Sequence, residues 1–393
     1  MTKTGKKVWI FAGEASGDTY GAQLAENMRE FERKAGNEIK IAGMGGEKMR
    51  AAGVDIMVDS SELGVVGIFE VLKIIFTIIR IFFFLKKKAL EERPDAVILI
   101  DYPGFNLRFA KEMHKYGIPV IWYVSPQIWS WRKNRIYKLD KYCDKMLVIF
   151  PFETEVYSKV SLDTEFVGHP LVDIMRERHD PTIERDPNTL VLLPGSRSME
   201  INRLLRPMLE TAVEMKKRHP ALKFAISTPR EKALKHCEDI YRRFKHSHPD
   251  TPDMELTCGK TSYWQQRAGT GLAASGTVTV ECAIAGLPLV VAYKMNFWTI
   301  LIAAVLVKLY RGFFTMVNVI ADKEVFEEFL QYDVTAKKLA DALERILPHG
   351  KRRKEVEADM REVVEALSDD KISALTQAAK ACVKFLHRDE KAL

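Results

Sequence analysis

The sequence predicts an α/β protein made of two successive domains, each with its own parallel sheet. Three observations carry this. Short runs of β-branched and aromatic residues alternate with helical patterns. The runs end in small-residue turns that open helices, the order expected of parallel strands. The alternation also lapses once, near residue 170, and then restarts. Length agrees, since 393 residues at roughly 150 per domain make two, each able to bury a core. With 47% hydrophobic and 29% charged residues the chain is too apolar for disorder. It shows no repeat of about 20–50 residues, which a solenoid would need.

In the first half, Val8–Ala12 reads as a strand, Gly13 to Asp18 as a turn, and the following stretch to about Lys34 as a helix. Further strands are expected at Ile39–Ala42, Ala96–Ile100, Pro119–Val124 and Lys145–Ile149. Phe166–Val167 leads into Gly168-His169-Pro170, after which charged residues and Pro181 and Pro187 break the pattern. The first domain is therefore placed at 1–169 and the second at 170–365. The second restarts with a strand at Leu190–Leu193, a turn at Pro194–Arg197 and a helix from Met199. Lys223–Ser227, Thr270–Ala273 and Pro288–Tyr293 continue it as strands. A last helix, about Ser373 to Arg388 within 366–393, can pack on either domain and is assigned to the first. Two such sheets leave a cleft at the carboxyl ends of their strands, where α/β proteins bind ligands.

The charge balance, 60 basic against 53 acidic residues for a net +7, is modest for a nucleic-acid binder but suits an anionic membrane surface. Nucleic acid is not expected as a partner. Five cysteines, widely spaced and without a CxxC pair, indicate neither a disulfide framework nor a zinc knuckle, so a reducing compartment is inferred. The apolar run after Lys6 and Lys7 ends at Glu14, too soon for a signal-peptide core. A cytosolic protein is expected.

Two apolar stretches stand out against a mean hydropathy of −0.14. Gly64–Leu85 ends in Ile81-Phe82-Phe83-Phe84-Leu85 and three lysines. Glu70, Lys73 and Arg80 exclude a membrane span, which needs about 20 apolar residues. On a helical wheel Glu70, Lys73, Thr77 and Arg80 fall within an arc of about 80°. The remaining circumference, including Ile75, Ile78, Ile79, Phe82, Phe83 and Phe84, is apolar. The second stretch begins at Phe297 and Trp298, runs uncharged to Val307, and is followed by Lys308, Arg311 and Phe313-Phe314. Both could be core helices. The narrow polar stripe and cationic flanks favour a bilayer interface or an acyl-chain pocket.

Four turns carry candidate chemistry. Glu14, Ser16, Gly17 and Asp18 follow the first strand, where helix N–H groups favour an anion or a sugar hydroxyl. The pattern is not GxGxxG, which disfavours a dinucleotide. Asp101 stands at the carboxyl end of the apolar strand Ala96–Ile100, and can serve as a general base or as an Asx turn or helix cap. Arg197 offers a cation suited to a diphosphate, or makes a surface ion pair. Ser275, Gly276 and Thr277 open a third helix with Glu281 one turn on, placed to receive phosphate and ribose hydroxyls, or simply to cap. Trp122, Trp129 and Trp131 precede a basic run from Arg132 to Lys145, which suits sugars or anionic head groups. His169 reads equally as a packed hinge residue or a catalytic one.

Taken together, these segments resemble the lipid A disaccharide synthase family. The matching residues are AGEASGD (Ala12–Asp18), GMGG (Gly43–Gly46), LGVVGIFEVL (Leu63–Leu72) and IDYPGFN (Ile100–Asn106). YVSPQIWSWR (Tyr123–Arg132), FVGHP (Phe166–Pro170), LLPGSR (Leu192–Arg197) and SGTVTVE (Ser275–Glu281) continue the run in the same order. The resemblance implies a GT-B fold of two Rossmann-like domains facing a cleft. It implies transfer of 2,3-diacylglucosamine from its UDP conjugate to 2,3-diacylglucosamine 1-phosphate (lipid X), giving a β-1,6 disaccharide 1-phosphate and UDP with inversion.

The resemblance further implies Asp101 as the base, Arg197 as a donor-side cation, and Asn318 and Gln331 as polar positions near the donor. No metal or cofactor is expected. Peripheral association with the cytosolic face of the inner membrane of a Gram-negative cell is the implied partnership, and the sequence leaves open whether the chain forms a homodimer. The chain departs from the family pattern at Met316-Val317 and Glu327-Glu328, which puts the shape of those loops in question. Another GT-B enzyme, such as a UDP-sugar epimerase or a peptidoglycan glycosyltransferase, shares the architecture without needing the apolar helix. A non-enzymatic membrane adaptor would need the helix but not the anion-ready turns.

Overall fold

The structure, a computed structural model, describes residues 5–60, 71–129, 133–294, 312–368 and 372–388, with side chains of α3 described from Phe76. It divides into one unit of 1–170 with 367–393 and a second of 171–366.

The first unit holds a seven-stranded sheet in the order β3-β2-β1-β4-β5-β6-β7, parallel throughout. Its strands are β1 (Lys6–Ala12), β2 (Ile39–Gly45), β3 (Asp55–Asp59), β4 (Ala96–Ile100), β5 (Val120–Tyr123), β6 (Lys145–Val148) and β7 (Asp163–Phe166). Helices α1 (Ala15–Lys34), α2 (Glu47–Ala51), α3 (Val71–Glu92), α4 (Pro103–Lys115), α5 (Ile136–Tyr142) and α6 (Glu153–Tyr157) lie between them. β4 is Ala-Val-Ile-Leu-Ile with every residue buried, as a strand covered on both faces requires. Trp9, Phe11, Leu99 and Trp122 of the sheet meet Phe105 and Phe109 of α4 in one core. The Phe11 and Phe109 rings are 4.8 Å apart, tilted as aromatic pairs prefer.

α3 lies against α4 and presents two apolar faces. Leu85 and Ala89 are buried, and Ile78, Ile81 and Phe82 pack against the same core. The Phe82 ring lies 5.7 Å from Phe105 and 5.9 Å from Phe109. Ile78 and Phe82, expected at a membrane or acyl chain, therefore belong to the core side. Phe76, Ile79, Phe83 and Phe84 are exposed, interleaved with Thr77 and Arg80. The Ile75 side chain, Phe297 and Trp298 lie outside the described residues. Among the described residues no helix is long and apolar enough to cross a membrane.

α7 (Pro170–Glu177) leads into the second unit, a six-stranded parallel sheet in the order β10-β9-β8-β11-β12-β13. Its strands are β8 (Asp186–Leu193), β9 (Lys223–Thr228), β10 (Met254–Cys258), β11 (Ala268–Ala274), β12 (Leu289–Tyr293) and β13 (Glu327–Leu330). α8 (Ser198–Arg218), α9 (Glu231–Ser247), α10 (Thr261–Arg267), α11 (Thr277–Ile284), α12 (Met316–Ala321), α13 (Ala336–Ile346) and α14 (Arg353–Leu367) accompany them. β11 is buried along its whole length between β8 and β12.

The chain then returns to the first unit, where α15 (Ala374–Leu386) packs along α1. Buried Glu32 of α1 faces His387 Nε2 at 2.8 Å. The His169 amide donates to the Leu367 carbonyl at 2.8 Å, tying together the two chain segments that join the units.

Candidate active site

In the first unit the site grows from the carboxyl end of β4. The chain leaves Ile100 through two consecutive left-handed residues, Asp101 (φ 45°) and Tyr102 (φ 46°), before Pro103 opens α4. The helix cap is Tyr102, with no side-chain capping bond, so Asp101 is not consumed as a cap. The Asp101 amide donates to the Tyr123 carbonyl at 3.0 Å. Asn106 Nδ2 donates to the Ile100 and Asp101 carbonyls at 3.2 and 2.7 Å. Burial, reinforced by the charge of Glu14, pushes the Asp101 carboxyl up to about 6. A carboxylate tuned to that range suits a general base near neutral pH.

The turn after β1 shares this corner. The Tyr102 ring lies over Gly13, where a Cβ would sit 2.4 Å from ring atoms. Glu14 caps α1 by its backbone alone, leaving its exposed carboxylate near Asp101, and Ser16 is exposed in the first helical turn. Two neighbours expected to face a ligand do not. Asp18 is buried and accepts from the amides of Gly46, Lys48 and Met49 at 2.6, 3.0 and 3.2 Å, which caps α2. Gly17 is also buried, and a Cβ there would stand 3.3 Å from that of Ala12, so it sets how closely α1 approaches the sheet.

Beside them Val124 is also left-handed (φ 66°), its carbonyl held by Trp122 Nε1 at 3.0 Å. Beneath it lies a buried polar group that the sequence did not reveal. Glu153 is 1% exposed and accepts from the Phe150 amide at 3.2 Å, and burial pushes its carboxyl up to about 8. Ser125 Oγ and Tyr157 Oη are 2.9 Å apart in the same region. His169 is buried with its ring 5.2 Å from that of Phe150, and desolvation drives it down to about 3. It is a packed neutral residue. Ser130, Trp131 and Arg132 lie outside the described residues.

In the second unit a cavity of about 1020 Å³ opens at the carboxyl ends of β8 and β11. It gathers Arg197 with Ser275, Gly276, Thr277 and Glu281, two segments far apart in sequence. Two helices, α8 after Arg197 and α11 at Thr277, begin at its wall, so their free N–H groups and dipoles favour an anion there. The Arg197 side chain is 80% exposed and only loosely held by Glu200 at 3.5 Å, so it can turn toward an anion in the cavity. Glu281 accepts from buried Gln265 Nε2 at 3.0 Å, which orients its carboxylate. The cavity also takes Ser227, Thr261 and Tyr263 from the β9 and β10 ends. A glycine after the Thr-Cys strand end was the available signal for this side.

Asn318 and Gln331 stand apart from that lining. Asn318 is fully buried. Its Nδ2 donates to the Phe326 carbonyl at 2.7 Å and Glu328 at 2.9 Å, while its Oδ1 accepts from the Phe326 amide at 2.8 Å. With every polar atom committed, it ties α12 to the start of β13 rather than reaching a ligand. Glu328 also accepts from the Phe314 and Thr315 amides, and Glu327 is held by Arg345 and Arg352. These contacts seat the Glu327-Glu328 departure in the regular strand β13, while Met316-Val317 open helix α12. Gln331 follows that strand in a left-handed conformation (φ 51°), its Nε2 buried without a partner among the described residues.

Comparison with known proteins places this geometry. A family model described as lipid-A-disaccharide synthetase matches residues 8–383. A lipid-A-disaccharide synthase of Coxiella burnetii (strain RSA 331 / Henzerling II) is 37% identical, covering 89% of this chain and 91% of that protein. One from Koribacter versatilis (strain Ellin345) is also 37% identical, over 98% of this chain and 100% of its own. Among solved structures, that of S. aureus MnaA with UDP superposes with a TM-score of 0.64 at 11% identity, covering 99% of this chain and 98% of the other. That likeness shows the fold, the GT-B arrangement.

Proposed function

The chain belongs to the lipid-A-disaccharide synthase family, and from that premise we propose that it transfers 2,3-diacylglucosamine from its UDP conjugate to 2,3-diacylglucosamine 1-phosphate. The chain is a glycosyltransferase. In the proposed reaction the acceptor 6-hydroxyl loses its proton to Asp101 as its oxygen attacks the donor anomeric carbon. The anomeric C–O bond to the diphosphate breaks on the opposite face, so the product is the inverted β-1,6 disaccharide 1-phosphate and the leaving group is UDP. The N-termini of α8 and α11, with Arg197 and Ser275 to Thr277, would bear the charge that develops on the departing diphosphate. Glu281 is assigned to ribose hydroxyls. Glu14 and Ser16, at the corner shared with Asp101, are assigned to the acceptor.

The observation that carries this reading is Asp101, a half-buried carboxylate poised near neutrality at a strand end, in a chain whose family is established over nearly its whole length. Incubation with both diacylated substrates should yield UDP and a disaccharide 1-phosphate whose mass, by mass spectrometry, is that of donor plus acceptor less UDP. Release of UDP without the disaccharide would overturn it.

Both substrates are amphiphiles, and the outer face of α3 supports contact with the cytosolic surface of the inner membrane. Phe76, Ile79, Phe83 and Phe84 are exposed beside Arg80 and Lys87, the combination an interfacial helix uses. Phe83→Ser should release the protein from anionic vesicles with its thermal stability unchanged. Phe82→Ser should instead lower stability. Equal vesicle binding by wild type and Phe83→Ser would return this face to another role.

A further inference from the structure

We infer that Asn106 is a positioning residue for the reaction, the side chain that holds the Asp101 carboxylate in its working place. This rests on the reading of Asp101 as the base. Left-handed dihedrals are unfavourable for residues with a Cβ, and here two occur in succession at Asp101 and Tyr102. Something outside the turn must hold it. Asn106, in the first turns of α4 and fully buried, reaches back with one amide group to both carbonyls that flank the strand exit, those of Ile100 and Asp101.

The bond to Asp101 is the shorter of the two, at 2.7 Å, and it acts on the peptide that links the two left-handed residues. The backbone bonds that start α4, from the Phe105 and Asn106 amides to the Tyr102 carbonyl, fix the far side of the same turn. Asn106 thus couples the strand exit to the helix start.

A second feature separates this from simple packing. Asn106 Oδ1 is buried with no hydrogen-bond partner among the described residues. An orphaned buried carbonyl is unfavourable, and an apolar side chain of similar size would avoid it. The residue is therefore suited to its Nδ2 donor and not to filling space.

The test measures kcat, KM and cooperative thermal unfolding in Asn106→Ala, Asn106→Ser, Asp101→Ala and the Asp101→Ala/Asn106→Ala double variant. Misplacement of a reacting group by about 1 Å can cost 10²-fold, so Asn106→Ala should lose about 10–100-fold in kcat with acceptor KM little changed. Because Asn106 acts through Asp101, the double variant should be no slower than Asp101→Ala alone. A folded Asn106→Ala enzyme with wild-type kcat overturns the inference, and so does a double variant at least tenfold slower than Asp101→Ala. If Asn106→Ala does not unfold cooperatively, Asn106→Ser decides. One hydroxyl donor cannot span both carbonyls, so lowered kcat in the folded serine variant supports the inference and wild-type kcat overturns it. Near-normal turnover in Asp101→Ala would instead sink the base assignment itself.

Discussion

The carboxyl edges of the two sheets solve one geometric problem in opposite ways. Both units must turn a chain sharply from a buried strand toward a helix, and both use left-handed residues to do it. Around its cavity the second unit uses glycine, at Gly195 (φ 106°) after β8 and Gly259 (φ 70°) after β10, while left-handed Gln331 after β13 stands apart from that lining. The first uses Asp101, Tyr102 and Val124, residues for which that conformation costs of order 1–3 kcal/mol each. Glycine leaves bare backbone, which lets N–H groups approach an anion. A side-chain-bearing turn gives up stability to aim a functional group. In the proposed reaction the first edge directs the Asp101 carboxylate and the second receives the diphosphate.

That division can be broken by experiment. The largest effect should come from Asp101→Ala, which is expected to lower kcat by at least about 10²-fold, the usual share of a general base, with affinity for UDP unchanged. A parallel loss of UDP affinity would erase the distinction between the edges. Next, Arg197→Ala should weaken UDP binding by about 10–100-fold, as loss of a charge-assisted bond implies, measured by calorimetric titration. Unaltered affinity would leave Arg197 as the partner of Glu200 alone.

A smaller effect concerns pH. Asp101 must be ionised to accept a proton, so kcat/KM should rise through an apparent pKa of about 6. Glu14 disfavours that ionisation, so Glu14→Gln should lower the Asp101 pKa and move the acid limb to lower pH. A limb that stays in place would detach Glu14 from the site. The smallest effect is on stability. Glu153 titrates at about 8 when folded, above its unfolded value, so its contribution is complete in acid and lost as pH rises through 8. Glu153→Gln should melt close to wild type at pH 5 and about 2–4 °C higher at pH 9. Equal melting at both pH values would show that Glu153 ionises freely.

What the sequence disclosed follows the same physics. The central strands β1, β4, β8 and β11 are covered on both faces and appear as continuous apolar runs, so they were legible. β3, β7, β10 and β13 were not, and all four are edge strands. β13 begins Glu327-Glu328, acidic residues tolerated only because Arg345, Arg352 and the 314–318 loop bind them, contacts no local pattern announces. At the site, Asp101, Arg197 and Ser275 to Thr277 were legible as turn residues at strand ends. Asp18 was misjudged because its partners are backbone amides 28 to 31 residues away. Asn318 owed its place to the resemblance and in the structure ties α12 to the start of β13. Glu153 gave no sign because its neighbours converge only in three dimensions.

The return of α15 to the first unit has a consequence for biosynthesis. The second unit, residues 171–366, interrupts the first, whose α1 is covered by a helix made after it. Domains generally fold in the order they are synthesised. Here the second sheet has all its residues while α1 still lacks its covering helix and Glu32 its histidine. The half that carries Asp101, the proposed base, is thus begun first on the ribosome and finished last.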